Sequence, residues 1–135
     1  MMPGDQSVPQ SFRALRVLLV EDNADGRATL CALLQLLGHQ VESAKDGLEG
    51  VEKALALRPE VGLIDIGLPR LNGYEVAQRL RTAFGRDIFL IAYTAYNQPE
   101  DRQRATAAGF DAYLVKPATV DELHHWLTTA AVAGG

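Results

Sequence analysis

The sequence is poor in the features that mark secreted, membrane and nucleic-acid-binding chains. Its one cysteine, Cys31, has no partner within the chain, and its apolar helical surroundings make it a small hydrophobe, so a reducing, cytoplasmic setting is expected. No apolar run of signal-peptide type opens the sequence, and no stretch approaches the length of a bilayer crossing; secretion and membrane association are not expected. Like charges form no block and the formal net charge is only -4, which argues against direct nucleic-acid binding and against a polybasic membrane surface. Proteins and small ions are left as partners. His39, His124 and His125 show no metal-ligand spacing with one another or with the cysteine, and they read as surface or flanking residues.

What is present suffices for one packed core: 47% apolar and 22% charged residues in a chain of 135. Residues 1–12, with Pro3, Gly4, Asp5, Ser7 and Pro9, have the composition of a loose tail; residues 13–131 are expected to form the domain and 132–135 a short C-terminal tail. From Arg16 onward, short continuous apolar runs alternate with stretches of helical periodicity. The runs are Val17-Leu18-Leu19-Val20, Val61-Gly62-Leu63-Ile64, Ile88-Phe89-Leu90-Ile91-Ala92 and Tyr113-Leu114-Val115, with a weaker one at Gln40-Val41-Glu42-Ser43-Ala44. Strands covered by helices on both faces need continuous hydrophobicity of this kind.

The intervening segments supply the helices. Leu30, Leu34 and Leu37 make one stripe, and Gly38 follows where a left-handed cap ends the helix. The second helix is expected to bury Leu48, Val51 and Leu55, the third Val76, Ala77, Leu80 and Phe84. The fourth, roughly Pro99 to Ala108, packs with alanines and turns its arginines to solvent. The fifth is expected to carry Val120, Leu123, Leu127 and Ala131 inward, starting at a capping box of Thr119 and Glu122. Five β/α units predict an α/β fold with a doubly wound, five-stranded parallel sheet and right-handed crossovers, in the strand order 2-1-3-4-5. Ligands then bind at the carboxyl ends of the strands, near the reversal of winding between strands one and three.

Four strands deliver a reactive polar group to that edge: Glu21-Asp22, Asp65, Thr94 and Lys116-Pro117. Glu21, Asp22 and Asp65 converge there, and three carboxylates cannot stay ionised together without compensation. A hard cation resolves the conflict. Mg²⁺ suits it, because that ion takes oxygen ligands and commonly uses one or two protein carboxylates together with waters and phosphate oxygens. Asp22 and Asp65 are the expected direct ligands.

These residues, with Leu68-Pro69 and Gly73 after Asp65 and Ala95 after Thr94, resemble the receiver domains of two-component response regulators, of the chemotaxis-regulator-like single-domain kind. The resemblance runs from about Arg16 to Ala131 and implies the flavodoxin-like arrangement with five helices. It further implies that Asp65 accepts a phosphoryl group from a histidine kinase or phosphotransfer protein. Mg²⁺ would be held by Asp22, Asp65 and the backbone carbonyl of Gly67, with Glu21 acting through water. Lys116 would neutralise phosphoryl charge, Thr94 would bond a phosphoryl oxygen, and Tyr113 would turn in response. A downstream protein partner would read the face of helix four, strand five and helix five, and Lys116-Pro117 would be a cis peptide.

Some positions depart from the family's usual residues. Glu21 stands where many members have aspartate. Gly67 offers no side chain beside Asp65, whereas Tyr96 is bulky enough to hinder attacking water, which predicts a long-lived phospho-aspartate. Tyr93 stands where an aliphatic residue is expected. Tyr113 as a half-buried aromatic and Trp126 as partial packing are the plain alternatives to switch and partner roles. The competing functions are a receiver module cut from a hybrid histidine kinase, an Mg²⁺-dependent aspartyl phosphatase and a flavin module. Gly67 replaces the second aspartate that the phosphatases use, and the acidic loop Glu21 to Asp25 would repel a flavin phosphate. The expected role is therefore that of a signalling domain which catalyses only its own phosphorylation and dephosphorylation.

Overall fold

The computed structural model describes residues 13–134. The elements run β1 Arg16–Val20, α1 Ala24–Leu36, β2 Gln40–Ala44, α2 Gly47–Leu57, β3 Val61–Asp65, α3 Gly73–Phe84, a short 3₁₀ turn Gly85–Asp87, β4 Phe89–Thr94, α4 Pro99–Ala108, β5 Ala112–Val115 and α5 Val120–Gly134. The sheet is parallel with the order β2-β1-β3-β4-β5, as the apolar runs predict. The last helix continues through 132–134, beyond the expected boundary at 131. The expected tail at 1–12 lies outside the described residues.

Two cores flank the sheet. α2, α3 and α4 close one face with Ala54, Val76, Ala77, Leu80 and Ala105; α1 and α5 close the other with Leu30, Leu34, Leu123 and Leu127. A fully buried leucine such as Leu34 or Leu80 contributes roughly 2 kcal/mol from the apolar area that it removes from water. Local signals set the helix ends. Asn23 accepts a hydrogen bond from the Gly26 N–H at 2.7 Å and starts α1, and Gly38 ends it at φ 98°. Asn72 with Glu75 and Thr119 with Glu122 close reciprocal capping boxes at α3 and α5.

Several expected burials do not hold. On α2, Leu48 and Leu55 are exposed, while Gly47, Gly50 and Ala54 face inward and Val51 is half-buried. The helix lies too close to β1 for larger residues: a Cβ at Gly50 would stand 2.9 Å from a Val20 methyl. On α5, Val120 is exposed and Ala130 joins Leu123, Leu127 and Ala131 in the core. His39 is buried rather than superficial, and its Nδ1 accepts the Leu15 N–H at 3.1 Å. The α4 arginines are exposed, yet Arg102 covers the Tyr113 ring at 4.6 Å and Arg104 the Tyr74 ring at 4.2 Å. Trp126 is half-buried, 6.5 Å from Phe89 between ring centroids.

At the amino ends of the strands, charged groups are tied into the backbone. Arg81 of α3 donates to the carbonyls of Gly109 at 2.9 Å, Gly85 at 2.6 Å and Ile88 at 2.7 Å, and pairs with Asp111. Asp111 in turn accepts the Leu90 N–H at 2.9 Å. Glu60 takes the Arg16 N–H at 2.9 Å and Arg13 at 2.7 Å. At the β2 edge of the sheet, Lys53 of α2 donates to the Ser43 carbonyl at 2.6 Å and stands 3.9 Å from Glu42.

Candidate functional site

The carboxyl edge is built differently. β1 ends at Val20, so Glu21 and Asp22 leave the sheet at its top; β3 ends on Asp65 itself. Two features hold Asp65 in place. The Gly67 N–H donates to its Oδ1 at 3.0 Å. The start of α3 presses on its backbone so closely that a Cβ at Gly73 would lie 2.6 Å from the Asp65 carbonyl oxygen. Glycine is required there by approach, not by dihedral angle.

Carboxylate oxygens of Glu21, Asp22 and Asp65 all lie within 4.8 Å of one another. Glu21 and Asp65 are buried and Asp22 is exposed, so the cluster has a closed floor and an open rim. The Lys116 ammonium reaches in from the end of β5 and donates to Glu21 Oε1 at 2.7 Å and to Asp65 Oδ2 at 3.1 Å. Four of the residues expected from the sequence thus converge on one cleft. An all-oxygen acidic set with an open rim fits a hard divalent cation, and Glu21, Asp22 and Asp65 are the residues able to hold one.

Burial and charge separate the two buried acids. Burial pushes the Asp65 carboxyl up, and the nearby Glu21 charge adds to it, against the Gly67 N–H and Lys116. For Glu21 burial also acts upward, but the bonds from Lys116 and from the Asn23 N–H outweigh it and hold the carboxyl below its ordinary range. Burial alone would weaken the Lys116 charge; its bonds to Glu21 and Asp65 outweigh that and raise the ammonium above the usual lysine value. The arrangement stores negative charge in excess of what one lysine neutralises.

Thr94 is buried at the end of β4, one residue past Tyr93, which pairs with Asp65 in the sheet. Its Oγ1 accepts the Tyr96 N–H at 3.1 Å. Tyr113 is half-buried and donates its hydroxyl to the Tyr96 carbonyl at 2.8 Å, so the loop after β4 is held by both expected switch residues. Tyr96 itself is exposed, and its hydroxyl comes within 3.9 Å of a Cβ built on Gly67. Its phenol thus overhangs the Asp65 side of the cleft. The Lys116-Pro117 bond is cis, as the resemblance implies.

Two residues gain meaning that the sequence did not give them. Tyr93, unexplained in the sequence, places its ring 4.9 Å from the Lys116 Nζ. Arg27, on the first turns of α1, donates to the Glu21 carbonyl at 2.9 Å and steadies the acidic loop. A cationic residue six positions beyond Glu21 was the only available sign.

The chain matches the model of the response regulator receiver domain over residues 17–128. It is 43% identical over 106 residues to the gliding motility regulatory protein of Myxococcus xanthus, which takes in 77% of this chain and 14% of that protein. It spans 47% of the length of a response regulator from Mycobacterium ulcerans that it also matches. Among solved structures, the receiver domain of the sensor histidine kinase PA1611 of Pseudomonas aeruginosa is similar at a TM-score of 0.80 and 33% identity, covering 89% of this chain and 99% of that one; it holds a magnesium ion coordinated in its active site cleft. The Vibrio cholerae chemotaxis protein CheY4 is similar at a TM-score of 0.81 and 29% identity, covering 87% and 99%.

Proposed function

Because the chain belongs to the response regulator receiver domain family of two-component systems, we propose that Asp65 accepts a phosphoryl group from the phosphohistidine of a histidine kinase or phosphotransfer protein in an Mg²⁺-dependent reaction. The observation that carries this reading is the convergence of Glu21, Asp22 and Asp65 within 4.8 Å, with the Lys116 amine 3.1 Å from Asp65. An Asp65 carboxylate oxygen attacks phosphorus as the P–N bond to the donor imidazole breaks; the imidazole keeps the electron pair and takes up a proton. The product is an acyl phosphate on Asp65.

Phosphoryl transfer asks little covalent work of the protein, so positioning and charge supply most of the acceleration. Asp22, Asp65 and the Gly67 carbonyl would hold Mg²⁺, with Glu21 acting through water. The ion would supply charge neutralisation for the phosphoryl oxygens. Lys116 reaches the same oxygens from the Asp65 side, and its two carboxylate partners help to keep its ammonium protonated. The Thr94 Oγ1 accepts from the Tyr96 N–H and keeps its own O–H to donate to the new phosphoryl group, and its movement toward that group pulls on the loop that Tyr113 also holds. The altered face of α4, β5 and α5 is the surface offered to a downstream protein. No helix among the described residues is long and apolar enough to cross a membrane, in keeping with a cytoplasmic role.

Incubation with Mg²⁺ and acetyl phosphate, followed by intact-mass analysis, tests the assignment. The expected result is one phosphoryl mass on the wild type and none on Asp65→Asn. An equal gain on the variant moves the acceptor elsewhere.

A further inference from the structure

We propose that Tyr93 is a positioning residue for the proposed reaction, its aromatic face holding the Lys116 ammonium against the phosphoacceptor carboxylate. The inference rests on the reading of Asp65 as the acceptor. In the sheet, Asp65 pairs with Tyr93 and Tyr93 with Leu114. Side chains alternate along a strand, so Asp65, Tyr93 and Lys116, which lies two residues beyond Leu114, leave the sheet on one side.

The ammonium has three N–H groups and uses two of them on Glu21 and Asp65. The Tyr93 ring stands on a further side, 4.9 Å from the nitrogen to the ring centroid, within range of a cation–π attraction. Lysine is a flexible stem ending in a strongly hydrated charge, and here its side chain is 28% exposed. Its nearer carboxylate is Glu21, at 2.7 Å against 3.1 Å for Asp65. Without the ring, the ammonium is free to follow Glu21 or turn to water, and either motion removes it from the phosphoryl position. The ring is itself fixed: it packs half-buried on the α1/α5 core beside Ala118, and the Ala118 amide faces its phenol oxygen. One side chain therefore joins β4, the lysine and the loop that follows it.

The test keeps ring size while changing only its electrostatics. Tyr93→Phe is compared with Tyr93→3,4,5-trifluorophenylalanine, whose ring attracts a cation poorly; melting curves establish equal folding. Initial phosphorylation rates are read by intact mass with Mg²⁺ and acetyl phosphate, alongside wild type and Asp65→Asn. The Phe variant is expected within about twofold of wild type, and the trifluoro variant about fivefold below Phe. A fall of twofold or more on fluorination supports the role, because packing alone does not respond to it; a smaller fall overturns it. No mass gain on the wild type, or an equal gain on Asp65→Asn, would instead refute the acceptor assignment.

Discussion

The two ends of the sheet carry similar charges and use them in opposite ways. At the amino end, Arg81 and Asp111 are shared out among the backbone groups of Gly85, Ile88, Gly109 and Leu90. At the carboxyl end, Glu21, Asp22 and Asp65 face one another across a cleft, with one lysine between two of them. A saturated ion pair joins elements into a rigid frame. An unsaturated one leaves lone pairs pointed at space, costs the fold some stability, and is ready for a ligand.

Asp65→Asn should separate the two ends of the sheet most clearly. It should end phosphoryl uptake altogether, yet leave the metal-free chain as stable as wild type or more stable by about 1 kcal/mol, because a buried carboxylate beside Glu21 is relieved. A clear loss of stability in a metal-free thermal melt would mean that the cleft is a structural cluster after all. Arg81→Met is the mirror experiment. Taking the guanidinium away from Asp111 and from three backbone carbonyls should cost about 3 kcal/mol in urea denaturation, with the phosphorylation rate of the folded protein within about twofold of wild type.

Tyr96→Ala opens the rim of the cleft without touching its floor. Decay of the phosphorylated protein should accelerate roughly threefold as water gains access; decay clearly faster in wild type than in the variant would rule out shielding by the phenol. The smallest effect belongs to His39 at the amino end. Burial, with a lesser contribution from His124, holds its pKa below the usual 6.5. The unfolded chain therefore binds a proton that the folded chain resists, so stability should fall as pH drops through and below about 6.5. His39→Gln should flatten that slope in melts taken across the range; an unchanged slope would show that His39 is not its source.

The frame was legible because it depends on local patterns. Apolar runs marked each strand, Thr119 with Glu122 marked the start of α5, and the strand ends carried the acids and the lysine. The inward face of α2 was not, because its burial follows closeness to β1, which favours Gly50 and Ala54 over the exposed Leu48 and Leu55. His39 was misread for a related reason: a backbone donor far away in the sequence, the N–H of Leu15 just before β1, makes its burial tolerable. Tyr93 and Lys116 lie far apart in sequence, and only strand pairing reveals that they meet.

The bond from Lys53 to the Ser43 carbonyl has a consequence beyond the domain itself. The Ala44 carbonyl faces β1 and accepts the Glu21 N–H, so by alternation the Ser43 carbonyl looks outward from the rim strand. An incoming chain that sought to extend the sheet would have to evict an ammonium group from its first docking point. Pairing of a second copy onto the β2 edge is thereby opposed.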